Sequence, residues 1–407
     1  MPKPAPEPGR GSFGLLWISQ ALSQLGTSIS TLAYPLLILD ATGSALNAGI
    51  LAAVSAAVSL TAKLPAGLIA DRWRYRSLML VGDAARAFLL ATIATAVLFG
   101  FATLPLLIVL VAAEVALGAV FGPAEFALLR LLVPAERRAI AVGQMQSRSQ
   151  LAGLLGPLVG GVLYAVHPAL PFALDAASYL ASFVLVLGVR SPQRGATARG
   201  GEASLRERLG AGWAWLRRDR FLFAAGFWVA ALTSVFAAVG LAILVFARDR
   251  GANPAELGAM YAISTAGGLV GALLTPWLQR RLSPVAILRS AALVDTAATL
   301  VLLPLESPYA IGAAGAAAFF LAPAVSATLF GELSRRCPDE LVTRAQSALA
   351  LVVGAFAPLA PAAIGAVIDG FSPTAAVGVC AAAFAVLLVL ALVVPALRAT
   401  APGDPPS

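Results

Sequence analysis

With 407 residues, 59% of them hydrophobic and only 12% charged, and a mean hydropathy of +0.88, the chain holds more apolar side chain than a soluble core can bury. The formal net charge of +8 would point to nucleic acid in a soluble protein, but the basic residues here fall between apolar segments and report membrane orientation instead. Two cysteines, Cys337 and Cys380, give neither a disulfide framework nor a metal-ligand spacing, and no nucleotide loop or nucleophile constellation occurs, so no enzyme, metal or cofactor is expected.

A span across a bilayer needs about 20 apolar residues. By that rule the chain reads as an all-α integral membrane protein with spans near 13–38, 45–70, 77–100, 104–129, 138–165, 170–189, 221–246, 255–279, 285–304, 309–332, 342–368 and 373–397. The Pro-rich start, 1–12, reads as a retained tail, because the first apolar run is too long for a signal peptide and lacks a small-residue cleavage site. Residues 13–189 then form one six-helix bundle and 221–397 a second, with 398–407 as a closing tail. Between the bundles, 190–220 is polar and basic. Its Leu205, Leu209, Trp213 and Leu216 alternate with arginines at helical spacing, which predicts an amphipathic helix along the membrane surface.

Arginines fill alternate loops, at 72/74/76, 137/138, 190–220, 280/281 and 335/336/344, with Arg398 after the last span. The opposite loops carry only Arg248 and Arg250, which puts both termini in the cytoplasm of a multi-pass protein of the inner (plasma) membrane. The halves also repeat. Pro134, Glu136, Pro157 and Gly161 recur as Pro338, Glu340, Pro361 and Gly365 at a spacing of 204, and Gly49 and Arg72 recur as Gly258 and Arg281 at 209. Such a parallel repeat is the architecture that places a transport site between two bundles at midplane.

Within the spans, Lys63, Asp83, Arg86, Glu114 and Arg148 are ionisable, and charges in a bilayer are costly enough to be functional candidates. Counting about 1.5 Å per residue, Arg86, Glu114 and Arg148 fall near midplane and can share one polar cluster. Asp83 and Arg86, three residues apart, can instead pair along one helix face. An acid among apolar side chains takes up a proton more readily than one in water. Glu114 is therefore the leading proton carrier, with Arg148 as the partner that would hold it ionised, and with Asp175 and Asp40, nearer the outer face, as rivals. The first span carries a polar stripe, Gln20, Gln24, Thr27 and Thr31, beside a small-residue stripe, Ser19, Ser23, Gly26 and Ser30. The first is assigned to a water-filled cavity and the second to helix packing. Phe227, Phe236 and Tyr261 are the facing candidates in the second half, and an aromatic lining with little charge fits an amphipathic small-molecule cargo. His167, the one histidine, sits in a loop and is read as no more than that.

Several stretches together resemble the major facilitator superfamily. Gly67-x-x-x-Asp71-Arg72-x-x-Tyr75-Arg76 resembles its loop signature between the second and third spans, with Tyr75 in place of a basic residue. Gly156-Pro157-x-x-Gly160-Gly161 in the fifth span looks like the signature of drug:proton antiporters. Thr42-Gly43-Ser44, Asp83-x-x-Arg86, Gly122-Pro123-Ala124 and Phe172 to Tyr179 are similar to bacterial macrolide and enterobactin exporters. The resemblance implies a twelve-helix secondary transporter, monomeric, exporting an amphipathic molecule against protons. Uptake, lipid flipping, or a non-transporting receptor of the same fold stand as alternatives. It also implies that Asp71 caps the start of the eleventh span near Arg344 while Arg72 reaches nearby oxygens, with Gly67 and Arg76 in the same gating loop, a gating contact rather than a mere topology signal. Two places depart from it. Glu114 stands four residues before Gly118, where a sister branch carries an arginine, and Arg280 stands where the repeat would require a second Asp71.

Overall fold

The structure, a computed structural model, describes residues 10–189 and 205–395, and within them all side chains except those of residues 10, 64–72, 139, 205–209 and 211. The described residues are helical throughout: α1 (Arg10–Thr42), α2 (Ala45–Arg72), α3 (Tyr75–Leu98), α4 (Leu104–Leu132), α5 (Arg138–Val166), α6 (Leu170–Leu187), α7 (Leu205–Leu216), α8 (Arg220–Asp249), α9 (Pro254–Arg281), α10 (Pro284–Leu302), α11 (Pro308–Phe320), α12 (Ala322–Arg336), α13 (Asp339–Gly354), α14 (Leu359–Gly370) and α15 (Pro373–Val393). Twelve stretches among them are long and apolar enough to cross a membrane. The connections are short and their residues explain why. Gly43, Gly100 and Gly251 take the left-handed conformation just past helix ends, where a side chain would be strained. Proline opens α4, α6, α10, α11 and α15, where its missing N–H costs nothing.

Two expected spans are not continuous. The run expected over 309–332 breaks at Leu321 into α11 and α12, and the one over 342–368 breaks at 355–358 into α13 and α14. Each break lies beside prolines, Pro323 in one and Pro358 and Pro361 in the other, whose rings cannot donate to the preceding turn and collide with it. Pro35, Pro123, Pro157 and Pro276, in contrast, lie inside helices that run on.

The described residues divide into two compact units: 10–43, 54–189 and 253–258 in the first, and 44–53, 205–252 and 259–395 in the second. In the first, α1 packs on α5 and α6, and α3 on α4 and α6. Leu16, Met79, Phe121, Leu128 and Val186 meet in a shared core there. In the second, α10 packs on α15 and α11, α8 on α13, α14 and α15, and α7 on α13. The predicted linker helix is therefore seated on protein, with Gly212 against the backbone carbonyl of Arg344 and Trp213 edge-on to Phe223 at 5.9 Å. Of its predicted apolar stripe, Leu205 and Leu209 lie outside the described side chains.

The repeated glycines and prolines build the same contact in both units. In the first, Gly161 lies against the Pro254 carbonyl and Gly258, and Gly258 against the Pro157 carbonyl. In the second, Gly365 lies against the Ala45 carbonyl and Gly49 against the Pro361 carbonyl. These are the positions related by 204 and 209, and a Cβ at any of them would strike backbone, which cannot rotate away. Gly161→Ala is accordingly expected to cost about 1–3 kcal/mol by overpacking, seen as a lower melting midpoint in detergent. Gly143→Ala in the same helix, which meets open space, is expected to leave the midpoint unchanged or slightly raised.

The helix starts in those contacts are finished differently. α9 carries its own capping box: the Asn253 N–H donates to Glu256 Oε2 at 2.9 Å and the Glu256 N–H to Asn253 Oδ1 at 3.0 Å. α2 caps the Asn47 N–H with its own Ser44 Oγ at 3.2 Å and borrows the rest of its cap from α14. The Asp369 carboxylate accepts from Ser44 Oγ at 2.6 Å, the Ala45 N–H at 2.8 Å and the Leu46 N–H at 3.1 Å.

Candidate functional site

A polar cavity of about 390 Å³ opens inside the first unit, among side chains of α1 to α6. Its centre is an ion pair between helices: Arg86 of α3 donates through Nε and Nη2 to Glu114 Oε1 of α4, the Nε contact at 2.8 Å. Arg86 is 9% exposed and Glu114 5%, so both charges have left water and depend on each other. The same guanidinium stacks over the Tyr179 ring of α6 at 4.2 Å from its centre, and the Tyr179 hydroxyl shares a 2.7 Å hydrogen bond with Thr27 of α1. Gly118 leaves room for the guanidinium beside α4.

A second pair lies in the same cavity. Arg148 of α5, 7% exposed, donates through Nη2 to Glu125 Oε1 at 2.8 Å and through Nε to Gln24 Oε1 at 3.2 Å, and Gln24 Nε2 donates to Ser149 Oγ at 2.9 Å. Lys63 of α2 is exposed and lines the cavity, as does Gln20, whose buried Nε2 has no partner among the described residues.

The sequence candidates distribute as follows. Arg86, Glu114 and Arg148 do line one cavity, but with other partners than expected. Arg86, not Arg148, pairs with Glu114, and Asp83 does not pair with Arg86 along their helix: its Oδ2 accepts from Ser182 Oγ of α6 at 2.7 Å. Both side chains meet α6, Asp83 at Ser182 and Arg86 at the Tyr179 ring, but the guanidinium extends on to α4, where Glu114 takes it. Gln20, Gln24 and Thr27 line the cavity, while Thr31 is exposed and donates to the Thr27 carbonyl at 2.8 Å. Ser19, Ser23 and Ser30 are buried, and Gly26, whose Cβ would meet Ser178 and Asp175, and Ser30, which donates to the Pro171 carbonyl at 3.4 Å, seat α1 on α6, whereas Ser23 of the same stripe lines the cavity. Asp175 is buried in that contact rather than in the cavity. Asp40 is exposed and accepts from the Tyr164 hydroxyl at 2.6 Å.

Gly156, Gly160 and Gly161 with Pro157 are packing residues: Gly156 meets Ser28 and Gly160 the Ile29 carbonyl, both on α1. Of the gating group, Arg76 donates to the carbonyls of Val186 and Leu187 at the end of α6, and Arg344 is exposed on α13. The side chains of Gly67, Asp71 and Arg72 lie outside the described residues. In the second unit Phe236 and Tyr261 serve packing. Phe236 sits 5.4 Å from both Phe319 and Phe384, and the Tyr261 hydroxyl donates to the Gly240 carbonyl. Phe227 lines a separate, almost wholly apolar cavity of about 470 Å³ with Trp213, Val352 and Phe356. Sequence reasoning passed over Glu125, Tyr179 and Ser182. Glu125 had a signal, since it lies three helical turns after Glu114 on the same face of α4.

The family profile of the Major Facilitator Superfamily matches residues 16–348. No curated protein matches the chain in sequence. Among solved structures, the nucleoside transporter NupG is similar with a TM-score of 0.79 at 11% identity, over 94% of this chain and 99% of that one. A bacterial homologue of the human lysosomal transporter Spinster is similar at 0.71 and 15% identity, over 95% and 93%. A bacterial homologue of the iron transporter ferroportin is similar at 0.67 and 16% identity, over 94% and 98%.

Proposed function

Given that the chain belongs to the Major Facilitator Superfamily and is a multi-pass membrane protein with a transporter fold, we propose that it exports an amphipathic small molecule in exchange for protons, by alternating access between bundles 13–189 and 221–397. The observation that carries this reading is the buried Arg86–Glu114 pair on a cavity of about 390 Å³. A drug-sized cavity with a few placed polar groups suits a cargo that is part apolar and part polar. A proton on Glu114 removes the carboxylate charge that Arg86 faces and that the polar end of the cargo would meet in the cavity. Cargo held best against the ionised carboxylate expels the proton, and the proton in turn expels the cargo, so the two exchange at one site. Gln20 Nε2, which has no partner among the described residues, and the Lys63 amine supply further contacts for the polar end of the cargo.

The resemblance to drug, macrolide and enterobactin exporters supports export, and the alternating arginine loops support cytoplasmic termini in the plasma membrane. Asp71 and Arg72, as the gating loop against Arg344, belong to the same proposal, as does a monomeric state.

The test is flux of a panel of fluorescent amphiphiles, cationic and anionic, in proteoliposomes with an imposed pH gradient. At least one dye is expected to move, and to move faster when the gradient favours proton exchange. Movement that ignores the gradient would remove proton coupling, and no movement of any dye would favour a receptor of this fold.

A further inference from the structure

Asp295 lies near the middle of α10, is 1% exposed, and neither of its carboxylate oxygens has a hydrogen-bond partner among the described residues. Among the described residues, the elements packed on α10, which are α15, α11 and α12, bring no unpaired cation to it. On α10 itself Arg289 donates its Nε to the Ala391 carbonyl of α15 at 3.1 Å, turned away from the acid. α15 contributes one titratable group, the free buried Cys380. α11 contributes only Tyr309, which is half exposed at its start. On α12, Glu332 is already paired with Arg335 and Arg336. Thr296 and Thr299, next to Asp295 on its own helix, give their hydroxyls to the carbonyls of Ala292 and Asp295.

The first unit holds an instructive counterpart. There Arg76 reaches the carbonyls at the end of α6 as Arg289 reaches the end of α15, and about two turns further along α3 stands Asp83, fully buried. Asp83 has Ser182 as a donor at 2.7 Å; α15 has no serine to offer Asp295, its matching stretch being Phe384, Val386 and Leu387. A buried carboxylate that accepts no hydrogen bond and faces no cation is the least favourable form this side chain can take, whereas a protonated carboxyl carries no charge into that site.

We propose that Asp295 is a proton-binding site of the second unit, occupied in this conformation and separate from the Arg86–Glu114 pair. It deepens the proton-coupled reading without depending on Glu114: α10 would carry a proton through the apolar part of the second unit and give it up when α15 or α11 moves enough to admit water or a donor.

The full-length protein in lipid, at neutral pH, is the material for the test. Infrared spectra are expected to show a carbonyl band of a protonated carboxylic acid that is lost in Asp295→Asn, and the apolar carbodiimide dicyclohexylcarbodiimide is expected to label the wild-type peptide carrying Asp295. The labelling needs no variant, so a poorly folded Asp295→Asn would not blunt it. An unchanged band in a folded Asp295→Asn, with no label on Asp295, would overturn the proposal. Either result is independent of flux: a protonated Asp295 in a protein that ignores the pH gradient removes coupling and keeps the site, and gradient-driven flux with an ionised Asp295 does the reverse.

Discussion

Glu114→Gln is expected to abolish gradient-driven flux, by at least about tenfold, equivalent to about 1.4 kcal/mol, while the protein remains folded and still binds the dye it no longer couples. The amide keeps the shape and one acceptor for Arg86, but it cannot exchange a proton. Arg86 then stays a permanent cation at 9% exposure over the Tyr179 ring, so the site no longer has two charge states to alternate between. Flux of a dye added on both sides without a gradient separates loss of coupling from loss of transport. Retained gradient-driven flux would move the coupling role to Asp175 or Asp40, or to Asp295.

The second large effect is on stability. Arg148→Gln leaves Glu125 without the guanidinium that it meets at 2.8 Å, and Gln24 without its donor. Removing one partner of a buried pair costs about 3–5 kcal/mol, and cavity exposure of both groups brings the expected cost to the lower end of that range. The melting midpoint in detergent is expected to fall by several degrees. Arg148→Met combined with Glu125→Leu is expected to recover most of the loss, because the uncompensated charge is gone. The double variant matching the sum of the two single losses would instead show that the residues act independently.

Much of this molecule is legible in its sequence, for a physical reason. In a bilayer a span must satisfy all of its own backbone hydrogen bonds, so length and hydropathy alone reveal the helices and their short connections. The glycine and proline repeats were equally legible, because close approach of backbones leaves few residue choices. Partner choice was not. Arg86 could pair with Asp83 on its own helix or with Glu114 on the next, and only packing decides that it takes Glu114 while Asp83 takes Ser182. Nor do prolines announce their effect: Pro123 and Pro157 sit in continuous helices, whereas Pro323 and Pro358 stand beside breaks. Asp295 was visible as a lone acid in an apolar span and was passed over, because its significance lies in what its neighbours lack.

The borrowed cap of α2 bears on how the chain is made. The Ser44–Asp369 hydrogen bond joins residues 325 positions apart. At about 5–20 residues per second, the ribosome delivers Asp369 roughly 16–65 s after Ser44. Through that interval the Ala45 and Leu46 amides must be satisfied by headgroups, water or the insertion machinery, with only the Asn47 amide held locally by Ser44, while α9 closes its start within four residues of leaving the ribosome. A nascent chain interrupted before α14 would thus hold a second helix whose Ala45 and Leu46 amides lack their acceptor.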